Sequence, residues 1–329
     1  MTDPDFTHVA SLNRQLLQAY PYARNVPVRG LTIAGRPALS GVDPAQVGTY
    51  VIVTVRDPLC GYDEDPAEQI ARKLAGARCI GRTGMFSTWT GSYRGASISV
   101  VSRGSGSPEA ELIMHELLEN TAATTFLRVG GSGGMHPDVH PGDLVIARGV
   151  VRDEGMTAAY VPPSWPAAAD PVVVLALAQA AHDAGAAFHI GLTRSTDSDF
   201  VAGGRPGVAG YLQPWHTTVV DDWTRTGVLN GDRESAAIVT LAGLFGRRGG
   251  SICSVADNIS TGETFVPGAG HTAAIDVALD ALALLHQMDT AAANAGTPTW
   301  LPRLGLASPA DPPLADPLPV EAAPGEAHA

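Results

Sequence analysis

The residues whose types and spacing point most directly to chemistry lie in Thr125-Phe126-Leu127-Arg128-Val129-Gly130-Gly131-Ser132-Gly133-Gly134, followed by Gly142-Asp143-Leu144-Val145-Ile146-Ala147. Phe126, Leu127 and Val129 mark an interior strand, and Arg128 interrupts it. A cation in such a place is costly unless it meets an anion or a carboxylate. The glycines that follow let backbone N–H groups approach a ligand closely. Two readings fit these residues: an anion or sugar site at the end of a sheet, or a tight turn with Arg128 in a structural ion pair. Asp257 closes a second apolar run, Ser251–Ala256, at the end where open α/β sheets place ligands. A carboxyl buried there holds its proton more readily than one in water; the competing reading of Asp257-Asn258 is a turn at a strand end.

The elements that must position these groups follow from hydrophobic pattern. Tyr50–Val55 is a β-branched run that predicts a core strand, and Ser97–Val101, Thr124–Val129, Asp143–Ala147, Phe188–Thr193 and Ser251–Ala256 predict others. Helical spacing of apolar residues predicts helices over Pro108–Asn120, Pro171–Gly185, Glu234–Gly246 and Asp276–Met288. Pro108 and the acids Glu109 and Glu111 suit a helix N-terminus. Strands alternating with helices predict an α/β protein whose sheet is covered on both faces. We expect an N-terminal extension over 1–45, a catalytic domain over 46–293, and a Pro/Ala-rich tail over 294–329. Eight of the chain's 25 prolines fall in its last 33 residues, a composition that predicts disorder.

Composition narrows the function. The 329-residue chain is 45% hydrophobic and 16% charged, which fits a well-buried globular protein. Its formal net charge of −12 disfavours nucleic acid, though a local site for a small phosphate remains possible. Cys60, Cys79 and Cys253 form no zinc or redox spacing, so we expect reduced thiols and a cytoplasmic protein. No stretch reaches the roughly 20 apolar residues of a membrane span. His136 and His140 lack a third ligand at metal spacing, so no metal and no resident cofactor are expected.

Three segments, in order, resemble the nucleoside phosphorylase family, which includes purine nucleoside and uridine phosphorylases. Thr125–Gly134 with Gly142–Val145 is similar to the family's Arg-Ile/Val-Gly-Ser/Thr-x-Gly-Ala and Val-Gly-Asp-Val. Gly227–Ala236 is similar to its acidic-Met-Glu-Ser/Ala stretch, and Val255–Thr261 to the Val-Ser-Asp-His-Ile-x-Thr of the purine branch. The resemblance runs from about Thr49 to about Met288. It implies a single α/β domain with a central mixed, barrel-like twisted sheet flanked by helices, assembled as a homo-oligomer, a trimer or a hexamer. The implied reaction cleaves the N-glycosidic bond of a nucleoside to free base and pentose 1-phosphate, with inorganic phosphate as co-substrate. A purine is favoured over uridine, because the uridine branch lacks an aspartate at the position of Asp257, and Gly203-Gly204-Arg205 here lacks that branch's glutamine.

By the same resemblance Glu234 holds the ribose hydroxyls with Arg233 beside it, Asp257 is the general acid toward the base, and Phe200 stacks on the base. Gly133, Arg205 and Asn258 complete the base side. Glu234 also reads as a capping acid for the helix that follows. Arg128, Gly130, Gly131 and Ser132 form the anion side. That side departs most from the family: Gly-Asp-Pro-x-Arg has become Arg56-Asp57-Pro58-Leu59-Cys60, and a further family arginine aligns with Gly84, leaving Arg82 as the nearest substitute. Three outcomes are compatible with these changes: a phosphate site rebuilt with Arg56 and Arg82, a nucleoside hydrolase that uses water, or a non-catalytic nucleoside-binding protein.

Overall fold

The computed structural model describes residues 30–55 and 65–306, together with residues 13, 16 and 18–22. Arg56 and Cys60 lie outside the described residues, as do residues 307–329 of the tail. Contacts divide the chain after Gln287 into two units. The second, from Met288, contributes the end of one helix and a short helix, Pro302–Leu306.

The first unit opens with a small hairpin, β1 (Thr32–Ile33) and β2 (Arg36–Pro37). Just after it the backbone N–H groups of Leu39 and Ser40 each donate to Glu116 at 2.8 Å, so the end of the expected extension is fastened to the main body. β3 (Tyr50–Val55) follows, all six of its residues buried, then α1 (Pro66–Ala71), β4 (Ala75–Arg82), β5 (Ser87–Tyr93) and β6 (Ala96–Arg103). Next come α2 (Ser107–Asn120), β7 (Thr125–Gly134), β8 (Leu144–Asp153), β9 (Ala167–Ala168), α3 (Pro171–Asp183) and β10 (Phe188–Thr196). α4 (Val219–Arg225), β11 (Val228–Asp232), α5 (Ser235–Leu244), β12 (Arg248–Asn258) and α6 (His271–Ala295) complete the order.

The sheet is mixed and partly closed. β7, β12, β8, β10 and β11 form a five-stranded ring, because β11 pairs parallel with β10 on one side and antiparallel with β7 on the other. From β7 the sheet also extends outward through β3, β6, β5 and β4. β3 is parallel to both its neighbours, β6 and β7, which explains its unbroken β-branched sequence: both of its faces are interior. β7 therefore has two tasks. Its first half, Thr125–Arg128, pairs with β3; its end, Gly133–Gly134, leaves that sheet and closes the ring. Arg128 is the last β7 residue paired to β3, opposite Val53. The charge that interrupts the strand marks the point where the sheet splits.

α2 and α5 cover this split. Val51, Val53, Ile113, Met114, Leu117, Phe126, Ile238 and Leu241 belong to one buried cluster. α5 is apolar all round, as a helix buried on every side must be. α3 starts cleanly because Asp170 accepts from the N–H groups of Val172 and Val173, with Pro171 in the first turn.

Candidate active site

Arg128 lies at the centre of a buried charge cluster. Its side chain is 2% exposed. Nη2 donates to Glu234 Oε2 at 2.8 Å, Nη1 donates to the Val129 carbonyl at 2.6 Å, and Nε lies 3.6 Å from Asp232 Oδ2. Gly130 makes this posture possible. A Cβ there would meet Arg128 Nη1 at 1.8 Å, so only glycine lets the guanidinium fold back across its own strand. Burial works against the Arg128 charge, but Glu234 and Asp232 outweigh it and raise its pKa.

The turn between β11 and α5 delivers both carboxylates, and they divide the labour. Asp232 caps α5: Oδ2 accepts from the Ser235 N–H at 3.1 Å and from Ser235 Oγ at 2.6 Å, while Oδ1 accepts from Ser195 Oγ at 2.5 Å. The side-chain capping that the sequence allowed for Glu234 thus falls to Asp232, two residues earlier. Glu234 turns the other way, and its Oε1 accepts from the Gly106 N–H at 2.7 Å and from Ser105 Oγ at 3.1 Å. Gly106 sits at the N-terminus of α2, where free N–H groups and the helix dipole favour an anion. Burial pushes the Glu234 pKa up, but Arg128 and Arg103 overcome it and hold the value below the usual 4.5. Burial dominates at Asp232, whose pKa is raised in spite of Arg128. A carboxylate has about four lone-pair directions. Glu234 uses three, which leaves an ionised, rigidly held acceptor for one more donor.

A second cluster lies at the end of the ring. Asp257, on β12, pairs with Arg205 Nη2 through Oδ2 at 2.6 Å. Its Oδ1 rests on Gly133, where a Cβ would stand 2.8 Å away, so the carboxyl lies flat on β7 five residues beyond Arg128. Burial raises the Asp257 pKa, and Arg205 only partly offsets that. The Arg205 N–H donates to the Phe200 carbonyl at 2.9 Å, which ties this arginine to the segment that carries Phe200, an exposed ring at 63%. Arg233 holds the same segment: Nη1 reaches Asp199 Oδ2 at 3.1 Å and Nη2 donates to the Asp197 carbonyl at 3.3 Å. Arg233 is therefore a strut between the sugar-side turn and the loop that carries Phe200.

Other expected site residues are taken up by the fold. Ser132 Oγ donates to the Ser254 carbonyl at 2.9 Å and accepts from Asn230 Nδ2 at 2.9 Å, which locks the ring together. Asn258 Nδ2 donates to the His136 and Val139 carbonyls, and its Oδ1 accepts from Ser260. Gly131, opposite Ser254 in the β7–β12 ladder, serves as strand backbone. Arg82 is exposed and pairs with Glu68 at 3.3 Å. Cys253 lies behind Arg128 as a neutral thiol, its pKa pushed up to about 12 by burial. The Gly104–Ser107 turn ahead of a helix reads in the sequence as a weak anion site, with Glu109 and Glu111 arguing against phosphate. Arg103 was passed over, although an arginine directly before a glycine-rich turn repeats the pattern that marked Arg128. Among the described residues, no three His, Cys, Asp or Glu side chains are grouped to hold a metal ion, and no helix is long and apolar enough to cross a membrane.

A closed five-stranded ring with a covered extension thus carries, at their junction, a carboxylate fixed by an arginine and a helix N-terminus. The chain belongs to the phosphorylase superfamily, whose sequence profile matches residues 51–287. It is 38% identical over 259 residues to a uridine phosphorylase of Thermococcus kodakarensis, an overlap of 79% of this chain and 90% of that one. A uridine phosphorylase of Treponema pallidum is 32% identical over 223 residues, covering 66% of this chain and 81% of its own. A guanosine phosphorylase of Halorubrum lacusprofundi is 28% identical over 200 residues, covering 61% and 77%.

Proposed function

We propose that this protein is a nucleoside phosphorylase: it transfers the pentosyl group of a nucleoside from the base to inorganic phosphate, releasing free base and pentose 1-phosphate. The observation that carries the proposal is the Arg128–Glu234–Gly106 cluster. It presents an ionised acceptor for a ribose hydroxyl beside a concentration of buried positive charge. Cleavage builds oxocarbenium character on the sugar and negative charge on the base, so the enzyme must orient the one and neutralise the other. Glu234 orients the sugar, and Asp257 in its protonated form donates to the departing base. Arg233 and Arg205 hold the loop on which Phe200 faces that base. No resident cofactor enters this scheme. The proposal includes a homo-oligomer, a trimer or hexamer, and a cytoplasmic location with its cysteines reduced.

The Asp257–Arg205 pair also sets the class of base. A protonated carboxyl and a guanidinium are both donors, and guanine offers two acceptors, N7 and O6, on one edge; adenine offers N7 beside an amino group. Uracil likewise offers a carbonyl to Arg205. We therefore expect base release from guanosine, inosine and uridine to exceed that from adenosine and cytidine. Mismatched donors typically cost about 1–3 kcal/mol, on the order of 5–150-fold in kcat/KM. Arg205→Met narrows that ratio. A purified protein that releases base from none of the five nucleosides, with phosphate present, overturns the proposal; equal rates on all five overturn the role of Arg205.

A further inference from the structure

The phosphate side of the reaction needs more positive charge than Arg128 supplies. Arg128 already commits Nη1 and Nη2 to Val129 and Glu234. The structure supplies a second buried cation that no motif marks. Arg103 is the last residue of β6, 2% exposed, and β6 flanks β3 on the side opposite β7. The register sets Val53 opposite Arg128 and Val55 opposite Arg103, so the two arginines bracket the end of β3. Nη1 of Arg103 donates to the Gly104 carbonyl at 3.1 Å and the Gly106 carbonyl at 3.0 Å. Nε and Nη2 are buried and meet no acceptor among the described residues.

A buried guanidinium with three of its five N–H groups unanswered is an expensive arrangement. Burial pulls the Arg103 pKa down to about 10, so the group remains charged at neutral pH. The nearby carboxylates do not satisfy it by hydrogen bonds. Glu234 is held by Arg128, Gly106 and Ser105, and Asp232 by Ser195 and Ser235, while Glu109, whose carboxylate lies against Gly104, acts on Arg103 only through its charge. Arg103 also lines an open cavity of about 570 Å³ with Arg82, Ser87 and Ser102. The acids on that cavity are engaged elsewhere: Asp65 accepts from Ser102 and from the Ala67 N–H, and Glu68 pairs with Arg82.

We propose that Arg103 is the second phosphate-binding guanidinium of this enzyme, paired across the end of β3 with Arg128, and that it takes over from the loop arginine that Cys60 has replaced. The inference rests on the phosphorolysis reading. A phosphate dianion between the two strands would accept from Nε and Nη2 in a forked contact, the geometry in which arginine binds phosphate best. Burial of Arg103 then has a purpose: a cation withdrawn from water interacts more strongly with the incoming anion.

The test is base release by the full-length chain, with phosphate varied at saturating nucleoside and the reverse, in the wild type, Arg103→Gln and Arg103→Lys. Arg103→Gln is expected to raise the phosphate KM about 10–100-fold, the usual size of a lost charge-assisted contact, with the nucleoside KM within about twofold. Arg103→Lys keeps the charge but loses the fork, and its phosphate KM is expected to rise about fivefold or more. An unchanged phosphate KM in either variant overturns the proposal, and the lysine variant decides alone if the glutamine variant does not fold. Thermal unfolding with inorganic phosphate separates this inference from the reading beneath it. Phosphate is expected to raise the wild-type midpoint and not that of Arg103→Gln. If base release ignores phosphate while that difference in midpoint persists, the phosphorolysis reading fails and Arg103 stands as a phosphate ligand. If phosphate stabilises both proteins equally, Arg103 is not a ligand.

Discussion

Replacing Glu234 by alanine is expected to cost the protein both stability and activity. Glu234 is the counter-charge for Arg128 and the carboxylate that most strongly favours the Arg103 charge, and all three side chains are buried. Removing one partner of a buried ion pair leaves an uncompensated charge, which typically costs about 3–5 kcal/mol. Urea unfolding of Glu234→Ala against the wild type reads this directly, and a loss below about 1 kcal/mol would contradict the cluster as described here. Because its partners hold the Glu234 pKa below the ordinary 4.5, the stabilisation is complete above that value. It is lost as pH falls through the lower folded-state pKa. Glu234→Gln keeps size and one acceptor while removing the charge. Its expected loss in kcat/KM for the nucleoside is at least about 100-fold, the scale of a misplaced substrate. The cluster's stability role and the sugar's positioning are thus read from two variants and two assays.

The second large effect is expected at Asp257. Removing a general acid typically costs about 100- to 10,000-fold, and Asp257→Ala is expected to lose more than about 100-fold in kcat/KM. Near-normal activity would remove the role. The pH profile carries the sign. Only the protonated carboxyl donates, so activity falls as pH rises through the Asp257 pKa, which burial has raised above 3.8. Arg205 acts in the opposite direction by favouring the carboxylate. Arg205→Met therefore raises that pKa further, and the descending limb of kcat/KM is expected to move to higher pH. A limb that stays in place or moves down would show that another group titrates.

The strands that carry the chemistry were legible because both of their faces are interior. Tyr50–Val55, the apolar start of β7, and the runs in β8, β10 and β12 are continuous apolar or β-branched stretches. Arg128 and Asp257 could be picked out because a charged side chain beside a buried run has few roles open to it, whereas Glu234 was marked only by its resemblance to the family's glutamate motif. The β4–β5 hairpin was not legible, since Ala75–Arg82 is mostly exposed and has no alternation. β11 escaped for a different reason: Val-Leu-Asn-Gly-Asp shows no strand signal, and the segment is extended only because β10 and β7 close the ring around it. β8 runs on to Asp153 past the charged Arg148 because β10 pairs with it along its whole length and β9 pairs with its outer half. The division of labour between Asp232 and Glu234 depends on Ser195 and Gly106, 37 and 128 residues away, so no local pattern distinguishes a cap from a site carboxylate. The same distance hides Arg103. Its significance appears only once β3 is seen between the strands that carry it and Arg128.

The central claim is that the nucleophile is phosphate, bound at a site whose familiar loop residues have changed. Base release from guanosine or uridine, measured with and without inorganic phosphate and with the sugar product identified, tests it most directly. We expect release to require phosphate, to saturate with it, and to yield pentose 1-phosphate in step with the base. Release at an undiminished rate in phosphate-free buffer, with free pentose as the product, would contradict the account and make the protein a nucleoside hydrolase.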